Sequence, residues 1–149
     1  GMMRNTADPT EVADRLHSAA IHLLRAVRLK DQASGLTPAR LSALSVLYFA
    51  GPLTLSKLAE AEQVRLPSVS RLVKDMEREG LVSRETAEKD ARASLIAVTP
   101  KGKALFERAR VNRLMALAEA LEDLSEEKRA TLMRAAELME AAAKTVRGV

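Results

Sequence analysis

The sequence predicts a mostly α-helical fold that carries one small two-stranded β element. Three observations lead there. Hydrophobic residues make up 47% of the 149-residue chain, yet Phe, Trp and Tyr are only 2% of it. The core must therefore be built from Leu, Ala, Val and Met, and Ala and Leu are strong helix formers. Apolar residues recur at spacings of three and four along most of the chain, the period of a helix with one dry face. After Gly80 that period gives way to the pattern of two short strands around a polar stretch.

Taken in order, Val12, Leu16, Ala19, Leu23 and Val27 share one face of a first helix over 10–33, which Ser34-Gly35 ends. Thr37-Pro38 supplies an N-cap followed by proline at the first helical position. The helix it opens carries Leu41, Leu44, Val46 and Leu47 and stops at Gly51-Pro52. Thr54 caps a short third helix containing Leu55, Leu58 and Ala59. The pattern breaks at Glu62-Gln63-Val64, and a fourth helix over 66–79 turns Val69, Leu72, Val73 and Met76 inward before Gly80 ends it. Two short helices separated in this way form a helix-turn-helix. Leu81 to Thr86 and Ser94 to Val98 read as strands joined by a polar tip at Ala87–Ala91, and a hairpin in that place is a wing. Thr99-Pro100 opens a helix to about Asp123, with Leu105, Ala109, Leu114, Leu117 and Leu121 apolar. Ser125 starts the last one over 126–147, with Leu132, Ala135, Leu138, Met139, Ala142 and Val146 inside.

The expected organisation is one intertwined domain: an N-terminal dimerisation helix at 10–36, a winged helix-turn-helix at 37–99, and C-terminal dimerisation helices at 100–147. The flanking helices hold more apolar surface than so small a central unit can cover. A second copy of the chain is the expected cover; a monomeric bundle is the alternative.

Several function classes are excluded by what the chain lacks. It has no Cys, hence no disulfide, no thiolate metal site and no thiol-based sensing. No run of about 18 apolar residues suggests a membrane span, no apolar signal core stands at the N-terminus, and the expected location is the cytoplasm. His17 and His22 are five apart and do not share a helical face well enough to chelate, so no metal is expected. There is no Gly-rich phosphate loop and no nucleophile with a nearby histidine motif, so neither an enzyme nor a cofactor is expected.

The net charge of +4 is mild, and from Thr37 to Val98 nine Lys or Arg stand against eight Asp or Glu. Affinity for an anion must come from asymmetry between faces. Helix 66–79 offers one. With its apolar residues inward, Ser68, Ser70, Arg71, Lys74 and Arg78 occupy the other faces, and Arg65 precedes them. Small hydroxyls near the N-terminus and long cations farther along suit a major groove of double-stranded DNA, where arginine and lysine reach guanine or phosphate. A solvated amphipathic face would have the same composition. In the wing, Asp90-Ala91-Arg92 puts a carboxylate two residues from a guanidinium. Asp90 can hold the Arg92 fork outward toward a narrow minor groove; a surface ion pair is the plainer alternative.

The run from Ser70 to Arg84 (SRLVKDMEREGLVSR), then Asp90-Ala91-Arg92, then Val98-Thr99-Pro100-Lys101-Gly102, resembles the MarR family of winged helix-turn-helix transcriptional regulators. The motifs stand in that family's order and spacing, and the resemblance runs from about residue 10 to 147. It implies a triangular homodimer whose terminal helices interlock, each subunit offering a winged unit to one half of a palindromic operator. Helix 66–79 would enter the major groove and Arg92 the minor groove. Two positions depart from the family pattern: Arg65 stands where Ser or Thr usually opens the reading helix, and Glu62-Gln63 where the preceding turn usually has glycine. The resemblance also implies release of DNA by a small anionic or phenolic effector, in a cleft lined here by His22, Arg25, Tyr48, Phe49 and Phe106. Packing in the core is the simpler role for the three aromatics. The function expected is therefore a ligand-responsive, DNA-binding repressor. The alternative is a winged-helix interaction or scaffold protein that does not read DNA.

Overall fold

The computed structural model describes residues 7–87 and 90–148, the side chains of 86–93 lying outside the described set. The elements run α1 (Pro9–Arg28), a 3-10 segment (Leu29–Ser34), α2 (Pro38–Ala50), β1 (Leu53–Thr54), α3 (Leu55–Glu62), α4 (Leu66–Arg78), β2 (Val82–Ala87), β3 (Asp90–Val98), α5 (Pro100–Leu121) and α6 (Glu126–Arg147). Packing divides the chain into residues 1–114 and 115–149, a boundary inside α5.

Hydroxyl side chains begin the helices where the sequence predicts. Thr37, Thr54 and Ser125 each accept a hydrogen bond from the N–H three residues on, Arg40, Lys57 and Lys128, at 3.2 Å. Each satisfies one of the amides that a helix start leaves without an internal partner. At the end of α4, Gly80 takes a φ of 78°, and the Leu81 N–H returns to the Met76 carbonyl at 2.8 Å. That closure requires a left-handed residue, which glycine adopts without steric cost.

The core lies in the first unit. Leu41, Leu44 and Leu47 of α2, Leu58 of α3, Val69, Val73 and Met76 of α4, Ile96 of β3, and Phe106 and Ala109 of α5 are all buried together. Leu72, expected inward, is half-buried at the margin of this cluster. In contrast, α1 and α6 contain no buried residue. Val12, Leu23 and Leu24 of α1 are exposed, as are Leu132, Met133, Leu138 and Val146 of α6. In the second unit none of residues 115–148 is buried.

Three features differ from expectation. The first helix does not run unbroken to residue 33; α-helical geometry ends at Arg28 and tightens to 3-10 through Ser34, before Gly35 at φ 75°. The tightened turn carries Asp31 inward, where both its carboxylate oxygens accept from Arg113 of α5, at 2.7 and 2.6 Å. These hydrogen bonds hold the Arg113 guanidinium above its ordinary pKa. The second difference is that the sheet has three strands, in the order β1-β3-β2. Leu53 pairs with Ile96 and Thr54 with Leu95; two residues are too few to register as a strand from local pattern, and their partner is distant in sequence. Thirdly, the polar tip is shorter than Ala87–Ala91. β2 continues to Ala87 and β3 begins at Asp90, because pairing satisfies the backbone N–H and C=O groups whatever the side-chain polarity.

The wing is fastened to α5 by Thr99 and Gly102. The Thr99 hydroxyl donates to the Gly80 carbonyl at 2.6 Å and accepts from the Gly102 N–H at 3.0 Å. A Cβ on Gly102 would overlap the backbone carbonyl of Leu81 and crowd the Val98 side chain. Gly102→Ala is therefore expected to destabilise the fold by about 1–3 kcal/mol through overpacking. A lower urea midpoint at unchanged m-value would register it, and an unchanged midpoint would refute the close approach.

Candidate nucleic-acid interface

Between α3 and α4 the chain reverses through Gln63, which adopts the left-handed region at φ 55° and ψ 42°. It does so in place of the glycine that the family pattern leads one to expect. The Val64 N–H donates to the Ala59 carbonyl at 3.1 Å, closing the turn. A non-glycine residue bears a modest steric cost in that conformation, and the turn is retained here at that cost. Arg65 is the N-cap of α4, extended at φ −65° and ψ 144°, and its side chain makes no capping hydrogen bond. The Ser68 and Val69 N–H groups both donate to its carbonyl at 3.1 Å. Pro67 in the first turn lacks an N–H that would otherwise go unsatisfied.

Because Val69, Val73 and Met76 are buried, the opposite side of α4 is forced outward. Arg65, Ser68, Arg71, Lys74 and Arg78 are exposed, and Ser70 is half-buried on the flank. Thus the helix brings five of the six residues expected to meet DNA onto one short element. The sixth, Arg92, and its support Asp90 have backbones in β3, but their side chains lie outside the described residues. Arg78 pairs with Asp75 at 3.4 Å. Among the described residues, Arg65, Arg71 and Lys74 form no ion pair.

The carboxylates at the far end of the helix are neutralised by arginines that sequence reading did not single out. Glu77 accepts from Arg84 Nε of β2 at 3.1 Å. Glu79 receives a two-pronged Arg40 from α2 at 2.9 and 3.0 Å, and Lys101 Nζ donates to the Glu79 carbonyl at 2.9 Å. Arg84 belongs to the motif already quoted, so its position was visible although its partner was not. Arg40 had no local signal, since its partner is 39 residues away.

The residues expected to receive an effector are only partly brought together. Tyr48, Phe49 and Phe106, all the aromatics of the chain, form one cluster. Ring centroids are 5.0 Å apart for Tyr48 and Phe49, 4.7 Å for Tyr48 and Phe106, and 6.1 Å for Phe49 and Phe106. Phe106 is a core residue at 5% exposure, whereas Phe49 is 66% exposed, with the Arg110 guanidinium 5.9 Å from its ring centre. Arg110 is a cation that the sequence did not mark. His22 and Arg25 are exposed on α1, and no hydrogen bond or ion pair among the described residues joins them to this cluster. An open groove of about 510 Å³ lies elsewhere, lined by Ala33, Ser34, Leu105, Glu107, Arg108, Val111 and Asn112, and includes none of the five. Among the described residues no cluster of three or more His, Asp or Glu could hold a metal ion. None of the described helices is long and apolar enough to cross a membrane.

Comparison with known proteins places this geometry among regulators. The model of the MarR family matches residues 36–94, from before α2 into β3. An uncharacterised HTH-type transcriptional regulator of Mycobacterium leprae is 35% identical over 86% of this chain and 90% of its own length. The HTH-type transcriptional repressor MdtR of Bacillus subtilis is 32% identical over 62% of this chain and 60% of its own. Among solved structures, a MarR family protein from Bacillus stearothermophilus superimposes with a TM-score of 0.80 at 26% identity, covering 93% of this chain and 99% of that one.

Proposed function

Since the chain belongs to the MarR family of DNA-binding transcriptional regulators, which are not enzymes, we propose that it is a ligand-responsive repressor binding a palindromic operator as a homodimer. The single observation that carries the reading is the division of α4: an apolar edge sunk in the core and a cationic edge in water. In this reading residues 37–99 read the DNA, while 10–36 and 100–147 pair the subunits. Ser68, Ser70, Arg71 and Arg65 approach base edges at the N-terminal half of α4. Lys74 follows the phosphate backbone, and Arg92, supported by Asp90, enters the minor groove.

Pairing of subunits is supported by the apolar residues that α1 and α6 leave in water, Val12, Leu23, Leu132 and Leu138 among them. Burial of such a stripe against a second copy removes it from solvent and sets two reading helices at a fixed separation, which DNA requires to be about 34–36 Å or a multiple. Support for a small anionic or phenolic effector comes from the aromatic cluster. Phe49 offers an exposed ring beside a guanidinium, a surface suited to an aromatic anion, with His22 and Arg25 as further ligands from α1. Phe106 fits the packing role better, being buried.

A fluorescence-anisotropy titration with random duplex at two salt concentrations tests the reading, since phosphate contacts make affinity fall with salt. A protein that shows neither binding nor a salt slope would instead be a winged scaffold. Selection from a random pool then supplies the operator. Arg92→Ala is expected to weaken binding to that operator by roughly 1–3 kcal/mol with the melting temperature unchanged; undiminished affinity would remove the wing from the interface. Lys74→Ala is expected to weaken selected and random duplexes alike, and an altered base preference would contradict its placement on phosphate. Leu138→Asp places a charge in the apolar stripe of α6 and is expected to yield a monomer by light scattering. An intact dimer would show that this stripe lies outside the subunit interface.

A further inference from the structure

From residue 7 to residue 35, Asp31 is the one buried residue. Leu16, Ile21 and Val27 of α1 are half-buried, and the next buried residue is Leu36 of the core, so the segment that joins α1 to the rest of its unit buries a charged group beside an apolar one. The Asp31 side chain is 5% exposed and that of Arg113 25%. The two hydrogen bonds, 2.7 Å from Nε and 2.6 Å from Nη2, engage both carboxylate oxygens. The segment is tied further from within, the Ser34 hydroxyl donating to the Asp31 carbonyl at 2.5 Å and accepting from the Leu36 N–H at 3.1 Å.

Stability alone does not explain this choice of residues. Taking two charges out of water cancels much of their attraction, and an apolar pair of similar volume commonly holds a fold as well or better. What a guanidinium–carboxylate fork adds is direction. Two parallel bonds fix the separation and the relative plane of the groups, whereas apolar contact permits sliding and rotation. Here the fork fixes the exit of α1 against α5, and α5 is itself seated against the wing through Thr99 and Gly102.

We infer that Asp31 and Arg113 are positioning residues for DNA binding, holding α1 at one angle to the reading unit so that the protein accepts one distance between operator halves. The inference rests on the homodimer reading, in which α1 helps to pair the subunits. Neither side chain touches DNA in this arrangement; both act through the placement of α4.

The test uses the full chain and duplexes recovered by selection from a random pool, with the distance between half-sites kept or changed by one or two base pairs. Affinities are measured for the wild type, for Arg113→Lys, and for the double variant Asp31→Leu with Arg113→Met. Lysine keeps the charge but replaces the fork with a point donor, and the apolar pair keeps the burial without either charge. The wild type is expected to favour the selected spacing by roughly tenfold or more, and a variant with wild-type melting to lower that preference below about threefold. Its affinity for a single half-site should stay that of the wild type. A spacing preference that survives in a normally melting, dimeric variant overturns the inference. So does failure of both variants to fold, because the pair would then serve the fold alone. A wild type that is monomeric by light scattering removes the homodimer reading itself, a failure separate from that of the pair.

Discussion

Val69, Val73 and Met76 lie along one edge of α4 and are held out of water by α2, α3 and the sheet. Their burial fixes the rotation of this helix about its own axis. Each such side chain contributes roughly 1.5–3 kcal/mol when removed from water, whereas an exposed ion pair contributes about 0–1 kcal/mol. The apolar edge therefore decides the orientation, and the charged residues take what directions remain. Arg71 and Lys74 face solvent for that reason, with no ion-pair partner among the described residues to draw them outward. Most of the cationic face of α4 is a by-product of core packing.

Charge is arranged around that constraint. Over the central unit positive and negative residues nearly balance, so a field attractive to phosphate depends on where the carboxylates are placed. Glu77 and Glu79 could have opposed the cations of α4. Instead each meets an arginine from another element, Arg84 and Arg40. These pairs add little stability, being partly exposed, but they offset two negative charges at the end of α4. The cations nearer its start, Arg65, Arg71 and Lys74, have no such pairing among the described residues.

The two ends of the chain behave differently from its middle. The helix-turn-helix and sheet close a core of their own, while α1 and α6 keep their apolar positions in water. A sequence pattern can announce that a stripe exists but not what covers it. Between α1 and α2 the 3-10 turn from Leu29 to Ser34 carries Asp31 to Arg113, a charged contact after the apolar rhythm ends at Val27.

What was legible in the sequence was whatever depends on neighbours within a few residues. The caps at Thr37, Thr54 and Ser125, the helix end at Gly80, the start of α4 at Leu66 and the span of α6 all follow from local backbone chemistry, and so does the division of α4 into dry and wet edges. The motifs that resemble the MarR family are likewise contiguous. What the tertiary structure alone decided involves partners far apart in the chain: the third strand at Leu53–Thr54, the fork between Asp31 and Arg113, the arginines that silence Glu77 and Glu79, and Arg110 above Phe49. The physical reason is common to these. Periodicity and capping report the energy of a segment with itself and with water, while long-range pairing depends on distances that exist only once the core has closed.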